Sequence, residues 1–334
     1  MYDVSIKTTG NGRQDMRNLR IRGAEMTEKV KPRTRNRPYR RKERRNRQEK
    51  ISKERILTFW PLLIFILGLG IILYPTVSNY YMFRHQSKAI VDYSDNISVL
   101  DDETIAALWA EAIEYNRLLY LAQLGEEIPE GSLNRYDEIL NVTDDGMLGY
   151  ISIPSVKLYL PIYHGTSDRV LQKGVGHWEL SSIPVGGANV HSVLTGHNGL
   201  PSARLFTDLE RVVVGDTFVL NILGETMTYE VYDIETVLPY EIENIVVSEG
   251  KDLCTLATCT PYGVNSHRLL VHGRRTENAP EEEVSIAQAA EKNAFTPMLR
   301  MIVIAVLCVL VLLILLFVRP DKKKKRKKKE SGSR

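Results

Sequence analysis

The sequence predicts an all-β fold, a closed or nearly closed β-barrel, with an N-terminal helical extension and two flanking transmembrane helices. Three observations carry this. Two long uncharged runs stand near the ends of the 334-residue chain. Between them lies one helical pattern, and from about residue 147 onward short Val-, Ile-, Thr- and Tyr-rich stretches recur at period two.

Composition narrows the class before any motif is read. With 43% hydrophobic and 25% charged residues the chain is neither disordered overall nor collagen-like. Three Cys exclude a disulfide-stapled miniprotein. The net charge of +3 conceals a strong asymmetry. Residues 1–55 carry 19 Lys and Arg against 7 Asp and Glu, and residues 319–334 carry 10 against 2. The body between them holds 15 basic and 32 acidic side chains. A basic head, an acidic body and a basic tail are three different electrostatic objects.

The first element is the basic segment 1–55, followed by the run 56–77, which has 22 residues and no charge. At a rise of about 1.5 Å per residue it crosses a hydrocarbon core of about 30 Å. It begins some 55 residues in and lacks a small-x-small cleavage site, so it reads as a retained anchor rather than a signal peptide. The second span is 300–318, of which the 18 residues from Met301 are uncharged. Each run has its Lys/Arg cluster on the terminal side, and such clusters stay cytoplasmic. Both termini are therefore expected in the cytoplasm and the acidic segment, roughly 79–299, outside. The basic arms could also touch nucleic acid or lipid, but their place beside the spans favours topology signals.

Within the outer segment, 78–136 reads as a helical lead. Asp101, Asp102 and Glu103 open an amphipathic pattern that closes at Gly125, with acid where the helix dipole favours it. Residues 137–276 form the β domain. Its candidate strands are MLGYISI, VKLYLPIY, NVHSVLTG, DTFVLNIL, ETMTYEVYDIETVL, DLCTLATC and HRLLVHG, with a hairpin turning near Gly224. Residues 277–299, with Glu281, Glu282 and Glu283, are a polar spacer back to the second span, and 319–334 is the basic tail.

The chemistry-bearing residues follow. Cys308 lies within the second span. Cys254 and Cys259 share one candidate strand, and a separation of five puts them on opposite faces, so they do not pair with each other. Cys259 stands at the strand end, just before Thr260-Pro261-Tyr262-Gly263, a rigid yet accessible position. Cys254, in mid-strand, reads as a buried small hydrophobe. A thiol nucleophile needs a base or ion-pair partner and an oxyanion stabiliser. Seven His are available: His85, His164, His177, His191, His197, His267 and His272. His197, in Leu-Thr-Gly-His-Asn-Gly, is the most suggestive, at a strand end between two glycines. Arg268, nine residues after Cys259, lies on a strand that could run antiparallel to the first; its competing reading is a surface Arg on an edge strand.

The run TLATCTPYGVNSHR, with TGHNG some sixty residues earlier and GTSDRVLQKGVGHWE before that, resembles the sortases, the cysteine transpeptidases of Gram-positive cell surfaces. Their Thr-Leu-x-Thr-Cys signature is matched by Thr255, Leu256, Ala257, Thr258 and Cys259. YHGTSDRVLQKGVGHWE, LPSARLFTDL and TPYGVNSHRLLVHG, with a second span after the barrel, are similar to class C, the pilin-polymerising branch. The resemblance covers roughly 137–275 and implies an eight-stranded barrel with Cys259, His197 and Arg268 in the site. It implies a thioester formed on Cys259 by attack on an LPxTG-like sorting signal after its Thr, with His197 as general acid/base and Arg268 steadying oxyanion or substrate. The acceptor it implies is a pilin Lys amine, with membrane embedding and no nucleic acid. No cofactor and no metal is expected.

One departure stands out. Many class C enzymes carry a lid with an Asp-Pro-aromatic triplet upstream of the barrel; none occurs here, and the nearest proline is Pro129. Two alternatives therefore stay open: a sortase anchoring surface proteins to a peptidoglycan precursor, and a catalytically idle barrel acting as a membrane-tethered adaptor.

Overall fold

The computed structural model describes residues 37–245, 247–278 and 283–317. The chain divides after Leu62 into a leading unit and a second unit holding the remainder. Among the described residues the leading unit is the first part of a single helix, α1 (Arg37–Ser98). Its one fully described pair there is Arg45 with Glu49 at 3.2 Å, both solvated.

In the second unit α1 continues without a break past the uncharged run. The sequence predicts a span ending at 77 and a separate helical lead over 78–136; one helix instead runs through that boundary to Ser98. The reason is a second apolar stripe. Ile90, Tyr93 and Ile97 recur at helical spacing and are buried in the barrel core. The Tyr93 hydroxyl donates to the carbonyl of Leu148 at 2.7 Å and accepts the amide of Leu223 at 3.0 Å, stapling the helix across two barrel segments.

Helix α2 (Asp102–Gln123) begins where its acidic cap predicts, with the Asp101 carboxylate accepting the Thr104 amide at 2.7 Å. It ends just before Gly125, whose φ of +79° suits a residue without a Cβ. Asn116 brackets Ile183, donating to its carbonyl at 2.9 Å and accepting its amide at 2.7 Å, so α2 packs on the loop ahead of the fourth strand.

Eight strands close a barrel: β1 (Met147–Ile153), β2 (Leu158–His164), β3 (Val175–His177), β4 (Val190–Thr195), β5 (Thr217–Ile222), β6 (Glu225–Val237), β7 (Asp252–Thr260) and β8 (His267–Arg275). The order around it is β1-β2-β3-β4-β7-β8-β6-β5. Most pairs are antiparallel; β2–β3 and β4–β7 are parallel. Seven strands coincide with the runs read from sequence. The exception is β3, three residues long, too short for an alternation to be seen. The β5–β6 hairpin turns on Leu223 and Gly224, with φ of 47° and 81°, the two left-handed residues of a tight hairpin.

A short helix, α3 (Asp168–Lys173), joins β2 to β3, and helix α4 (Glu283–Phe317) follows the barrel. Part of the expected polar spacer is thus its first turns. Two helices, over Phe59–Ser98 and Phe295–Leu312, are long and apolar enough to cross a membrane. The rings of Tyr80 and Phe295 lie 5.9 Å apart, bringing α1 and α4 side by side.

Candidate active site

Pleated strands send alternate side chains to opposite faces. On β7, Cys254 and Leu256 point into the main core, and Cys254 is fully buried. Burial pushes its thiol well up, which makes it a poor nucleophile. Ala257 faces the other way and joins Val193 of β4 and Leu270 of β8 in a separate small cluster. Cys259, two residues beyond Ala257, shares that outer face and is half-buried. The expectation that the two thiols part company is met by this alternation.

Register brings the other two candidates to Cys259. In the antiparallel β7–β8 ladder Cys259 is the partner of Arg268. In the parallel β4–β7 ladder Thr195 pairs with Ala257. The Gly196 amide donates to the Ala257 carbonyl at 3.1 Å, so pairing runs one step past the strand end and brings His197 level with Cys259. Arginine, cysteine and histidine thus lie in one row across β8, β7 and the loop that leaves β4, each half-buried. Neighbours in such a row stand about 5 Å apart at the backbone, within reach of a thiol, a ring and a long guanidinium arm.

The loop bearing His197 is fixed on both sides. Thr258, buried behind the thiol, donates its hydroxyl to the Gly196 carbonyl at 2.7 Å. Asn198 donates to the Cys259 carbonyl at 2.8 Å and lies 3.2 Å from Glu210. Glu210 also accepts the Thr260 hydroxyl at 2.8 Å. The His197 carbonyl accepts the Phe206 amide at 3.1 Å. Gly196 is required there, because a Cβ would stand 2.9 Å from the Phe206 ring. Gly199 adopts φ +83° beneath the Tyr262 ring, where a Cβ would meet ring carbon at 3.0 Å.

Arg268 donates to the carbonyls of His267 at 3.1 Å and Asn265 at 3.4 Å, and among the described residues it meets no carboxylate. Next to the Val193–Ala257–Leu270 patch runs a polar chain: His191 Nε2 lies 2.8 Å from Thr255 Oγ1, which lies 2.9 Å from His272 Nδ1. His272 Nε2 lies 3.1 Å from Glu235. Both threonines of the Thr-Leu-x-Thr-Cys signature are thus tethers, one for this chain and one for the His197 loop.

The remaining histidines lie elsewhere. His164 and His177 are buried around Tyr136, whose hydroxyl lies 2.8 Å from His177 Nδ1. His85 is exposed on α1 against Tyr81. His267 contacts Ser266 at 2.9 Å. Sequence reading missed Asn198, Glu210 and Thr258 as supports. Asn198 and Thr258 were findable, since each adjoins a candidate and alternation turns it toward backbone; Glu210 carried no signal. Among the described residues no three His, Cys, Asp or Glu side chains gather as a metal site.

Comparison with known proteins agrees with the fold. A family model of the sortase domain matches residues 151–276. Sortase C1 of Streptococcus agalactiae is 44% identical, with a TM-score of 0.54, over 57% of this chain and 100% of that one. Sortase C of Streptococcus pneumoniae, described as informing catalysis and pilin substrate specificity, is 39% identical with a TM-score of 0.52, over 58% and 100%. Sortase C of Clostridium perfringens with the C-terminal cell wall sorting motif is 42% identical with a TM-score of 0.51, over 57% and 100%. Sortase A of Bacillus anthracis is 26% identical over 67% of this chain and 96% of its own length. The protein is by class a cysteine transpeptidase. The chain belongs to the sortase family, on the class C side that these structures represent.

Proposed function

We propose that Cys259, His197 and Arg268 are the catalytic residues of a membrane-anchored sortase that joins pilins. The observation that supports this is the shared rung of Cys259 and Arg268 on β7 and β8, with His197 two residues past the end of β4 in a loop bonded to β7. The Cys259 thiolate attacks the Thr carbonyl carbon of an LPxTG-like signal. The tetrahedral intermediate collapses to a thioester and expels the amine of the next residue, which takes a proton from the His197 imidazolium. A pilin Lys amine then attacks the thioester, His197 accepts its proton, and the thiolate leaves as a new amide forms. Arg268 donates to the developing oxyanion or to the substrate backbone, held ready by its register with Cys259.

The pilin role rests on the class C likeness, above all to the pneumococcal enzyme concerned with pilin specificity. The sorting-signal substrate rests on the clostridial enzyme studied with its sorting motif. Membrane anchorage rests on the two apolar helices and their basic flanks, with both termini cytoplasmic and the barrel outside.

The test is mass spectrometry of the protein mixed with an LPxTG-type peptide and candidate pilins. A thioester adduct on wild type, absent in Cys259→Ala, and a pilin–Lys isopeptide product are expected. Release of free carboxylate alone, with pilin Lys present, would make the protein a hydrolase.

A second acceptor keeps its place because two relatives matched over most of their length, from Bacillus anthracis and Listeria monocytogenes, are sortases A. Among the described residues, the hydrogen bonds and ion pairs from 126–146 to other parts of the chain go to Glu111, Leu121, Met147, His164, Gly165, Lys173 and His177, not to the row. Transfer to a peptidoglycan-precursor amine instead of pilin Lys in the same assay would establish anchoring as the role.

A further inference from the structure

Away from the active site, a cavity of about 310 Å³ opens beside one face of α1, where Thr76, Asn79, Met82 and Gln86 recur at helical spacing. Its other walls are β2, the 3₁₀ segment Leu205–Arg211 and Pro297 of α4. Met82, Phe83, Leu158, Leu160 and Leu205 make it largely apolar. It shares Val156, Lys157 and Arg204 with an adjoining pocket of about 450 Å³, whose lining adds Ser155 and Arg211. Three cations thus meet at the mouth. The single acid in either lining is Asp208, bonded to Arg204 and, at 3.3 Å, to Arg211. Two positive charges remain in formal excess.

The position of this space is as informative as its lining. Thr76 is one residue from the end of the uncharged run 56–77, and Pro297 precedes the second run by four residues. The cavity therefore begins where both apolar helices stop being apolar, and Gln86 lies about 15 Å further along α1. Tyr80 and Phe295 hold the two helices together at that level, the belt position aromatic rings take at a membrane surface.

We infer that this pocket binds a membrane phospholipid with an anionic headgroup, its acyl chain in the apolar cavity and its phosphate against Lys157, Arg204 and Arg211. The inference rests on the reading of 56–77 and 300–318 as membrane spans. A peptide fits the lining poorly. The polar groups gather at the charged mouth and along α1, and two of them are already engaged: Gln86 donates to the Lys173 carbonyl at 3.0 Å and Asp208 is bonded to Arg204. A free inorganic anion would use the mouth and leave the apolar part unfilled.

The test uses the full chain in lipid nanodiscs with photoactivatable acyl chains on either phosphatidylglycerol or phosphatidylcholine. Labelled peptides are located by mass spectrometry. Phosphatidylglycerol should label 79–86 and 156–160 at least fivefold more than phosphatidylcholine. Lys157→Asn, which suits the left-handed backbone at φ 53°, and Arg211→Gln should each weaken that preference about fivefold. Both residues are exposed, so core packing is untouched. Equal labelling by the two headgroups, or labelling confined to the apolar runs, overturns the site while leaving the spans in place. Release of the chain from membranes by alkaline carbonate overturns the spans, and the site with them.

Discussion

Cys259 and Arg268 are register partners across the β7–β8 ladder, so the thiol and the guanidinium leave the sheet from the same rung. That rung is set by the whole ladder from Leu253–Arg274 to Thr260–His267, and not by any flexible loop. In the proposed mechanism an arginine so placed offers a fork of donors beside the carbon that the thiol would attack. Arg268→Ala is expected to lower kcat/KM by about 10²–10³, the usual cost of an oxyanion donor. Arg268→Lys should recover little, because an ammonium restores charge without the planar fork. Steady-state kinetics with a sorting-signal peptide check both.

His197 is expected to govern the pH profile. In the proposed mechanism one ring gives a proton to the leaving amine and takes one from the incoming amine, so both of its forms are needed. A bell-shaped kcat/KM profile should result, and His197→Ala should both flatten it and lower the rate by about 10²–10⁴. A bell of unaltered form in that variant removes His197 from proton transfer.

Glu210 ties the residue after the thiol to the residue after the imidazole, through Thr260 and Asn198. Glu210→Ala should let the two strand ends drift and lower kcat by about tenfold, with KM for the peptide changed less. Its exposure keeps the stability cost within about 1 kcal/mol. Thermal unfolding beside kinetics separates the two effects.

The barrel should lose stability in acid through His177. Burial pushes this imidazole down to about 4, against the Ser182 carbonyl 2.8 Å from Nε2, which favours the charged ring. The unfolded chain binds a proton near pH 6.5 that the folded chain refuses until about pH 4, so stability is complete above 6.5 and falls as pH drops between those values. The loss is on the order of 3 kcal/mol by pH 4. Urea midpoints measured from pH 7 to 4 should show this slope, and His177→Gln should reduce it.

Much of the architecture was legible in the sequence for identifiable reasons. Strands of six residues or more announce themselves by alternation, and the Leu223–Gly224 turn and the Asp101 cap by the residue types their backbones require. The three-residue β3 has too few positions to alternate. The length of α1 was hidden because its polar second half has only Ile90, Tyr93 and Ile97 to mark a face, and what they face lies far along the chain. At the site, Cys259 and His197 stand out by their motifs. Arg268 was open to a surface reading until the ladder placed it opposite Cys259. Glu210 has no motif; it matters through where the segment after His197 folds back, which only three dimensions disclose.

The unbroken course of α1 has a mechanical corollary. Ile90, Tyr93 and Ile97 belong to the same buried apolar cluster as the barrel strands, and the same helix carries the uncharged residues just before position 78. Between Val77 and Tyr93 the helix climbs about 24 Å without a swivel. In a bilayer, the reacting sulfur would be carried on a strut and not on a tether, at one standoff and one azimuth. Substrates must come to that height, and each joined product must depart along the same bearing.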